Sequence, residues 1–367
     1  MPGDGSSLVG SGTWEVEMFI PYTVANPLLT VRIPRLLPQR GQVLARAGDS
    51  VAPSQIVAQA VRPADFRIVE VAQELDLSAR NTPSCLKVER GQAIQEGEVL
   101  AARGGLTSRV CYSPLTGTVI GVGRGRLLLE AQAEVIRLAA LVPGYVVESR
   151  DGSGVVVETV GALIQAFWGN GREGYGVLRM LVRDPRHPIR ASHINASAQG
   201  TVLIGGSTVD EESIAQAIEL QVRGMIVGSV LPSMIPRLRK TRFPVIATEG
   251  IGNLPMSMAL FELLRSLDGR EAAVSARIGD RWQPMRPYAV VPMPTHAAPK
   301  LNPDLPLKAG DRVRILGGEY RARSGTVSRL LEGLIQVETG ARLPGIEIAF
   351  SESERVQVPQ TNIERLL

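Results

Sequence analysis

The sequence predicts a β-rich, multi-domain α+β protein with a small parallel α/β domain between two β-rich regions. From Trp14 to about Val147, short apolar runs are broken by Gly, Pro or Asp, a rhythm typical of short β-strands. From about Val155 to Pro294, strand-like and helix-like segments alternate, which indicates a parallel sheet. A Pro-rich stretch then precedes a final run of short strands. The predicted boundaries are 1–147 for the N-terminal β-rich module, 148–294 for the α/β domain, 295–306 for a Pro-rich linker and 307–367 for a C-terminal β-barrel.

The composition excludes several classes of protein. At 367 residues, with 44% hydrophobic and 21% charged residues, the chain is too apolar for a disordered protein and long enough for several cores. Its 40 basic and 36 acidic side chains give a formal net charge of only +4, so any nucleic-acid contact must be local. We see neither a secretory signal nor an apolar run of membrane-spanning length, and we expect a cytoplasmic protein without a membrane span.

Reactive side chains are few. The chain has two cysteines, Cys85 and Cys111, and three histidines, and their spacing fits neither a disulfide framework nor a metal site. The sequence motifs of nucleotide-binding loops, zinc proteases and serine hydrolases are also missing. We therefore predict no catalytic residue, no metal site and no cofactor, and we expect a protein that is not an enzyme.

Two segments of the N-terminal module share one pattern: GQVLARAGDSVAPSQIVAQA at 41–60 and LKVERGQAIQEGEVLAA at 86–102. Each reads as a strand, a Gly-containing turn and a short strand ending in Ala, which predicts a β-hairpin unit used twice. Residues from Leu36 to Glu130 resemble the barrel-sandwich hybrid fold of biotinyl and lipoyl domains. The carrier function of those domains needs a lysine at a hairpin tip, whereas Lys87 lies at the start of a predicted strand. The resemblance therefore implies a structural or docking module.

The central domain contains three strand-like segments, TVLIGG, RGMIVGSV and FPVIAT, each followed by a helical one. This alternation implies a small parallel sheet with right-handed crossovers. Thr208 and Glu211 have the spacing of a capping box for the first helix. Earlier in the domain, the Asn170-Gly171 pair predicts a tight hairpin turn. The aromatic side chains that flank this turn are predicted to form a core cluster: Phe167, Trp168 and Tyr175.

Two Gly-rich turns should lie at the carboxyl edge of this sheet, where open α/β sheets bind ligands. Backbone N–H groups and helix N-termini gather at such an edge and can hold an anion. The candidate ligand-binding residues are Gly205, Gly206, Ser207, Thr208, Glu249, Gly250, Gly252 and Asn253. In the alternative interpretation, the glycines only permit tight connections, and Glu249, which would repel an anion, caps local N–H groups.

The C-terminal segment LKAGDRVRILGGEYRARSGTVSRLL resembles a KOW motif, and RVQVPQTNIERL resembles the last strand of an SH3-like barrel. The resemblance implies a barrel that contacts RNA, a protein or a neighbouring domain. The candidate nucleic-acid or partner contacts are Arg312, Arg314, Tyr320, Arg321 and Arg323. Strand alternation would put Arg312 and Arg314 on one face, with Tyr320 as a stacking platform. Alternatively, this is a solvated face that pairs with acids such as Asp311 and Glu319.

Three functions remain open. We favour a non-catalytic scaffold or self-assembling interaction protein, working as a homo-oligomer or larger assembly through strand edges and flat faces. The second is a factor of transcription or translation that binds RNA or ribonucleoprotein through the KOW barrel. The third is an enzyme or ligand sensor that uses the α/β crevice.

Overall fold

The computed structural model describes residues 22–62, 64–105, 108–279, 285–295, 298–300, 306–337 and 339–366. Strands account for 45% of the structure and helices for 13%, arranged in several sheets, which confirms a β-rich protein. Among the described residues, no helix combines the length and the apolar character needed to cross a lipid bilayer.

The strands are β1 Tyr22–Thr23, β2 Ala25–Leu36, β3 Gln42–Val43, β4 Ser50–Val51, β5 Ile56–Arg62, β6 Phe66–Val69, β7 Ala93–Ile94, β8 Val99–Arg103, β9 Arg109–Tyr112, β10 Gly117–Gly123, β11 Arg126–Ala131, β12 Glu134–Ala139, β13 Gly144–Arg150, β14 Gly154–Gln165, β15 Trp168–Gly169, β16 Glu173–Met180, β17 Thr201–Ile204, β18 Gly224–Val227, β19 Val245–Ala247, β20 Glu271–Ser275, β21 Tyr288–Pro292, β22 Arg312–Ile315, β23 Ser324–Gln336, β24 Arg342–Ala349, β25 Arg355–Pro359 and β26 Ile363–Leu366. The α-helices are α1 Val71–Glu74, α2 Glu211–Glu219, α3 Ile235–Leu238 and α4 Met258–Ser266. Short 3-10 turns lie at Pro83–Cys85, Ala191–His193, Ala196–Ala198, Pro232–Met234 and Gln360–Asn362.

The chain divides into two compact units whose limits differ from the predicted domain boundaries. Unit 1 contains the described residues up to Val31 and from Thr159 onward, and unit 2 contains the stretch between them. The N-terminal strands thus group with unit 1 rather than with the predicted module 1–147. The reason is long-range backbone pairing, because Thr23 pairs with Leu366 of β26.

The predicted linker 295–306 lies partly outside the described residues. Its described part is not free of the fold, since Lys300 forms a β-bridge with Thr30 and the N–H of Thr30 donates to the carbonyl of Pro299 at 3.0 Å. Within unit 1, the predicted α/β domain and C-terminal domain therefore share a single compact body with the N-terminal strands.

Unit 2 contains two hairpin turns built alike in the two repeated segments. Gly48 and Gly91 adopt φ angles of 94° and 91°, the left-handed region that favours glycine. The next residue closes each turn: a side-chain oxygen of Asp49 accepts from the backbone N–H three residues earlier at 2.7 Å, and that of Gln92 does so at 3.0 Å. Each glycine N–H donates to a carbonyl of another strand at 2.7 Å. The shared sequence pattern thus encodes a shared turn.

A long antiparallel ladder joins the two halves of unit 2. Strands β5 and β6 follow each other along one side and β12 and β11 along the other, with Val61 opposite Val135 and Ile68 opposite Leu128. The β5–β12 pair and the β6–β11 pair have the same antiparallel register, so the second continues the first. The core of the second half is apolar and contains Val69, Leu75, Leu100, Cys111, Val119, Leu127 and Leu129.

In unit 1, the sheet order is β15-β19-β18-β17-β16-β20-β21-β14, and β16 to β19 are parallel neighbours. Alternate residues of the parallel strands face two apolar layers. On one face Leu203 and Met225 pack with residues of α2 and α3, and on the other Ile204 and Ile226 pack with α4. This arrangement brings the ends of β17, β18 and β19 to one edge of the sheet.

Two local predictions for this domain are wrong. Helix α2 is capped by Asp210, whose carboxylate accepts from the Ser213 N–H at 2.8 Å, and not by Thr208. Val209 forms a β-bridge with Ile189, so the backbone before Asp210 is held in an extended conformation and the helix starts later.

The second is the Asn170-Gly171 hairpin. Strand β15 before it pairs with β19, and strand β16 after it pairs with β17 and β20, so the two residues do not connect neighbouring strands. The Asn170 side-chain amide instead donates to the carbonyls of Leu238 and Phe243 and to the hydroxyl of Thr241 at 2.9–3.1 Å. Long-range hydrogen bonds therefore decide the role of this pair.

The aromatic residues beside Asn170 have separate surroundings. Trp168 is buried in the apolar layer that contains α2 and α3, while the hydroxyl of Tyr175 donates to Glu271 at 2.9 Å. Phe167 lies between two arginines, as described below. The predicted single core cluster is thus replaced by three different contacts.

The last part of unit 1, residues 306–366, pairs with β1 in a sheet of order β1-β26-β22-β23-β24-β25, here called the C-terminal β-domain. It opens with a turn of the kind found in unit 2, in which Gly310 has a φ of 93° and the Asp311 carboxylate accepts from the Lys308 N–H at 2.9 Å. Val313 and Ile315 of β22 point into its apolar core.

Candidate functional site

The first Gly-rich turn at the carboxyl edge is filled by the protein's own backbone. The N–H groups of Gly206 and Ser207 both donate to the carbonyl of His187 at 3.1 Å. A Cβ atom on Gly206 would lie 2.4 Å from the carbonyl oxygen of Asp184, and one on Gly205 would lie 2.4 Å from the side chain of Ile189. These glycines permit close packing of the segment before the turn, and their N–H groups are already bonded.

The second turn is also bonded internally. Gly250 and Gly252 have positive φ angles of 86° and 145°, which explains glycine at both positions. The N–H of Glu249 donates to the carbonyl of Gly228 at 2.7 Å. The Glu249 carboxylate accepts from the Ser257 N–H at 3.1 Å, as the capping alternative proposed. Of the other candidates, Thr208 is half-buried and Asn253 is exposed.

The remaining oxygen of Glu249 binds Arg314, a residue of the C-terminal β-domain. Arg314 Nη1 lies 2.6 Å from Glu249 Oε2 and 3.4 Å from the carbonyl of Thr248, immediately after β19. On its other side Arg314 Nε donates to Glu364 Oε1 at 2.5 Å. Only 2% of the Arg314 side chain and 1% of that of Glu249 are exposed. An arginine of the same chain therefore occupies the edge of the sheet predicted to bind a ligand.

The prediction that Arg314 lies with Arg312 on an exposed face is wrong. Arg312, at the start of β22, is exposed, whereas Arg314 is buried. Both faces of the strand are covered at that point: Val313 and Ile315 pack in the core of the C-terminal β-domain, and Arg314 faces the α/β part of unit 1. Side chains alternate along β22 as predicted. At Arg314, however, the face opposite the domain core packs against the α/β part of unit 1 and is not exposed to solvent.

An aromatic ring and a second arginine complete the cluster. The guanidinium carbons of Arg286 and Arg314 lie 4.5 Å and 4.7 Å from the ring centroid of Phe167, within the range of cation–π attraction. Arg286 Nη1 contacts Glu364 at 3.1 Å and also the hydroxyl of Thr23, which in turn donates to Glu364 at 2.6 Å. We call this set the Arg314 network: Thr23, Phe167, Glu249, Arg286, Arg314 and Glu364.

The charges of the Arg314 network balance, with two carboxylates against two guanidinium groups. Glu364 is fully buried, while the Arg286 side chain keeps 31% of its exposure. Burial raises the pKa of Glu249, the nearby Arg314 opposes that shift, and the second carboxylate, Glu364, adds to it. The direction shows that desolvation outweighs the attraction of the shared guanidinium. In such a cluster each buried charge needs its partner of opposite sign, because loss of one partner leaves an uncompensated charge in the interior.

The other predicted partner contacts lie elsewhere on the C-terminal β-domain. Arg323 makes two hydrogen bonds to the Glu354 carboxylate, both of 2.7 Å, and lies 3.8 Å from the ring centroid of Phe350. Tyr320 packs against the same ring with a centroid distance of 5.8 Å. The predicted stacking platform is therefore already in contact with its own domain. Arg321, like Arg312, is exposed.

Sequence reasoning missed four members of the Arg314 network, namely Thr23, Phe167, Arg286 and Glu364. One signal was available, because Arg314 and Glu364 lie directly opposite each other on paired strands, each next to branched apolar residues. Opposite charges at such cross-strand positions stabilise a sheet. The other members come from distant parts of the sequence and carry no local pattern.

In the described ranges, His, Cys, Asp and Glu side chains do not gather in any group of three or more that could hold a metal ion. A scan against models of known protein families finds no match for this chain, and a search of curated proteins finds none either.

Proposed function

We propose that this protein is a non-catalytic scaffold that acts through its surfaces and assembles with other copies of itself. One observation carries the proposal: Arg314 lies at the carboxyl edge of the parallel sheet, bound to Glu249. In open α/β sheets this edge is where a ligand sits. In this protein the ion pair of Arg314 and Glu249 occupies that edge and joins the C-terminal β-domain to the rest of unit 1. This favours a structural role for the edge over ligand binding.

The two Gly-rich turns support the same interpretation. An anion at the first turn would have to replace His187 as the acceptor for Gly206 and Ser207. At the second turn it would meet the carboxylate of Glu249, whose own guanidinium partner is buried with it. In both cases the anion would have to break hydrogen bonds that already exist within the protein, whereas a preformed ligand site has unbonded donors.

Self-assembly is supported by exposed apolar side chains on an unpaired strand edge. Strand β6 lies at the edge of the four-stranded sheet β6-β11-β10-β7, and Phe66 and Ile68 on it are 62% and 59% exposed. Edges of this kind pair readily with another chain.

Finer fold identities belong to the same proposal. The paired turns at Gly48 and Gly91 support a barrel-sandwich hybrid module in unit 2, and the turn at Gly310 before β22 supports an SH3-like barrel with a KOW hairpin. We do not favour RNA as the partner of that hairpin, since Arg314 is buried and Arg323 is paired with Glu354.

Size-exclusion chromatography with light scattering tests the proposal. We expect a mass that is a multiple of 39.4 kDa and that falls on dilution. A strictly monomeric mass at the highest attainable concentration would contradict self-assembly. A thermal-shift series with inorganic phosphate and phosphorylated sugars adds a second test: we expect an unchanged melting temperature. A concentration-dependent rise would favour the ligand-binding alternative.

A further inference from the structure

Among the residues that the structure describes, strand β6 is paired on one side only. It pairs with β11, and the N–H of Ala131 donates to the carbonyl of Asp65 at 2.8 Å. In an antiparallel ladder, alternate residues direct their backbone groups at the partner strand. Asp65, Arg67 and Val69 therefore bond to β11. The backbone groups of Ala64, Phe66 and Ile68 point away from the sheet.

The open side also carries apolar side chains. Phe66 and Ile68 share one face of the strand and are 62% and 59% exposed, so no part of the chain that the structure describes covers them fully. Leu128, opposite Ile68 on β11, is half-buried and extends the apolar face inward. Backbone groups and side chains are thus both available along the same edge.

Charge on β6 is arranged symmetrically about Phe66. Asp65 precedes it and Arg67 follows it, both exposed, and neither has an ion pair within the described residues. If the strand meets a copy of itself in antiparallel orientation with Phe66 opposite Phe66, each Asp65 lies opposite an Arg67. Opposite charges at directly facing positions are favourable, and two aromatic rings at the centre add to the pairing.

We propose, on the basis of the self-assembly proposed above, that a second copy of this chain pairs along β6 around a two-fold axis at Phe66. The outward N–H and C=O of Phe66 then bond to those of the second copy's Phe66. Those of Ala64 bond to the second copy's Ile68, and the reverse pair forms by symmetry. Every outward backbone group from Ala64 to Ile68 gains a partner, and two pairs of opposite charges form.

Neighbouring registers fit less well. A two-fold axis at Arg67 leaves the backbone correctly directed but sets arginine against arginine and Asp65 against Val69. An axis at Ile68 leaves the backbone correctly directed but sets Phe66 against Glu70 and Arg67 against Val69. Of these three registers, the Phe66 register is the one that sets each Asp65 opposite an Arg67. Because it joins identical edges, it closes a dimer at this strand and does not extend into a fibre.

The test uses the full chain and charge exchange at two exposed positions. In Asp65→Arg, two arginines of each copy face each other, and in Arg67→Asp, two aspartates do. We expect each single variant to weaken dimerisation about tenfold, as measured by light scattering on dilution. The double variant, which exchanges the two charges, should restore it. An equal mixture of the two single variants should form a mixed dimer, because each chain then meets opposite charges.

A backbone test accompanies the charge test. Phe66→Pro removes an N–H that points away from β11, a place where an edge strand tolerates proline. We expect this variant to lose the β6 dimer with unchanged circular dichroism, and Ile68→Lys serves as a second variant. Val61→Asp, at a 60% exposed apolar position of the central strand β5, is the matched control and should assemble like the wild type.

The outcomes separate this inference from the proposed function. Assembly that persists unchanged in Phe66→Pro, Ile68→Lys and both charge variants would overturn the β6 interface and leave self-assembly intact. A wild-type chain that stays monomeric would overturn self-assembly itself. Loss of assembly in the single charge variants without recovery in the double variant would overturn the proposed register.

Discussion

Two arginines of the C-terminal β-domain use the same chemistry in opposite environments. Arg314 and Arg323 each bind a glutamate and lie over a phenylalanine ring. The side chain of Arg314 is 2% exposed, while that of Arg323 is 42% exposed. An exposed ion pair gains little because water already solvates both charges, whereas removal of one partner of a buried pair leaves an uncompensated charge.

The pKa values of the two glutamate partners, Glu354 and Glu249, differ in the same way between the exposed and the buried pair. Arg323 lowers the pKa of Glu354 by hydrogen bonding, the usual result for a carboxyl group beside a guanidinium. Burial raises the pKa of Glu249 in spite of Arg314. The comparison teaches that exposure, more than contact geometry, decides what such a pair contributes. Four predictions test it, in order of decreasing effect.

Removal of the Arg314 charge should have the largest effect. Arg314→Met keeps an unbranched side chain but leaves Glu249 and Glu364 buried without their shared guanidinium. We expect a loss of about 3–5 kcal/mol in the free energy of unfolding of unit 1, measured by urea denaturation. Arg312→Met, at an exposed position on the same strand, is the control. Equal denaturation midpoints for the two variants would contradict the role assigned to Arg314.

Replacement of Phe167 should come next. Phe167→Leu keeps an apolar side chain but removes the ring that lies beside both Arg286 and Arg314, and we expect a loss of about 1–2 kcal/mol in the free energy of unfolding. Phe350→Leu removes a ring that contacts one exposed arginine. If Phe350→Leu destabilises the protein more than Phe167→Leu does, burial does not control the strength of these contacts.

The pH dependence should have opposite signs at the two sites. Because the folded-state pKa of Glu249 lies above its ordinary value of 4.5, the folded protein binds a proton that the unfolded chain has already released. The stability of wild type relative to Glu249→Gln should therefore increase as the pH falls from the folded-state pKa toward 4.5.

At Glu354 the pKa is lowered, so its contribution is present above 4.5 and is lost as the pH falls through the lower folded-state pKa. Relative to Glu354→Gln, wild-type stability should decrease on acidification. Urea denaturation of the three proteins between pH 3 and pH 7, about the range of these titrations, measures both differences. Slopes of the same sign would contradict the contrast between the two carboxylates.

Loss of the Arg323 pair should have the smallest effect. Arg323→Ala removes two hydrogen bonds to Glu354, but both groups are already in contact with water, and the Glu354 carboxylate stays solvated after the change. We expect calorimetry to show only a small decrease in the melting temperature, below that caused by Phe167→Leu. A large decrease would show that exposure is a poor guide to these pairs.

Local turns could be predicted from the sequence. At Gly48-Asp49 and Gly91-Gln92, the hydrogen bonds that close the turn join residues three positions apart, so the pattern and the structure lie in the same short segment. The parallel strands could also be predicted, because alternation of strand and helix leaves few ways to connect them.

The Arg314 network could not be predicted in this way. Glu249 and Arg314 are 65 positions apart, and Thr23 and Glu364 are 341 apart, so their contacts depend on how whole parts of unit 1 pack. Asn170-Gly171 failed for the same reason, since the hydrogen bonds of Asn170 come from the distant segment before β19. A residue type indicates what a side chain can bind, and only the packed chain determines which partner it meets.

A double-mutant cycle between Arg314 and Glu249 tests the central claim most directly. Arg314→Met, Glu249→Gln and the combined variant are compared with wild type by urea denaturation. If the two side chains join the C-terminal β-domain to the parallel sheet, the combined loss should be smaller than the sum of the single losses by about 1–3 kcal/mol. Additive losses would show that the pair does not hold these parts of unit 1 together.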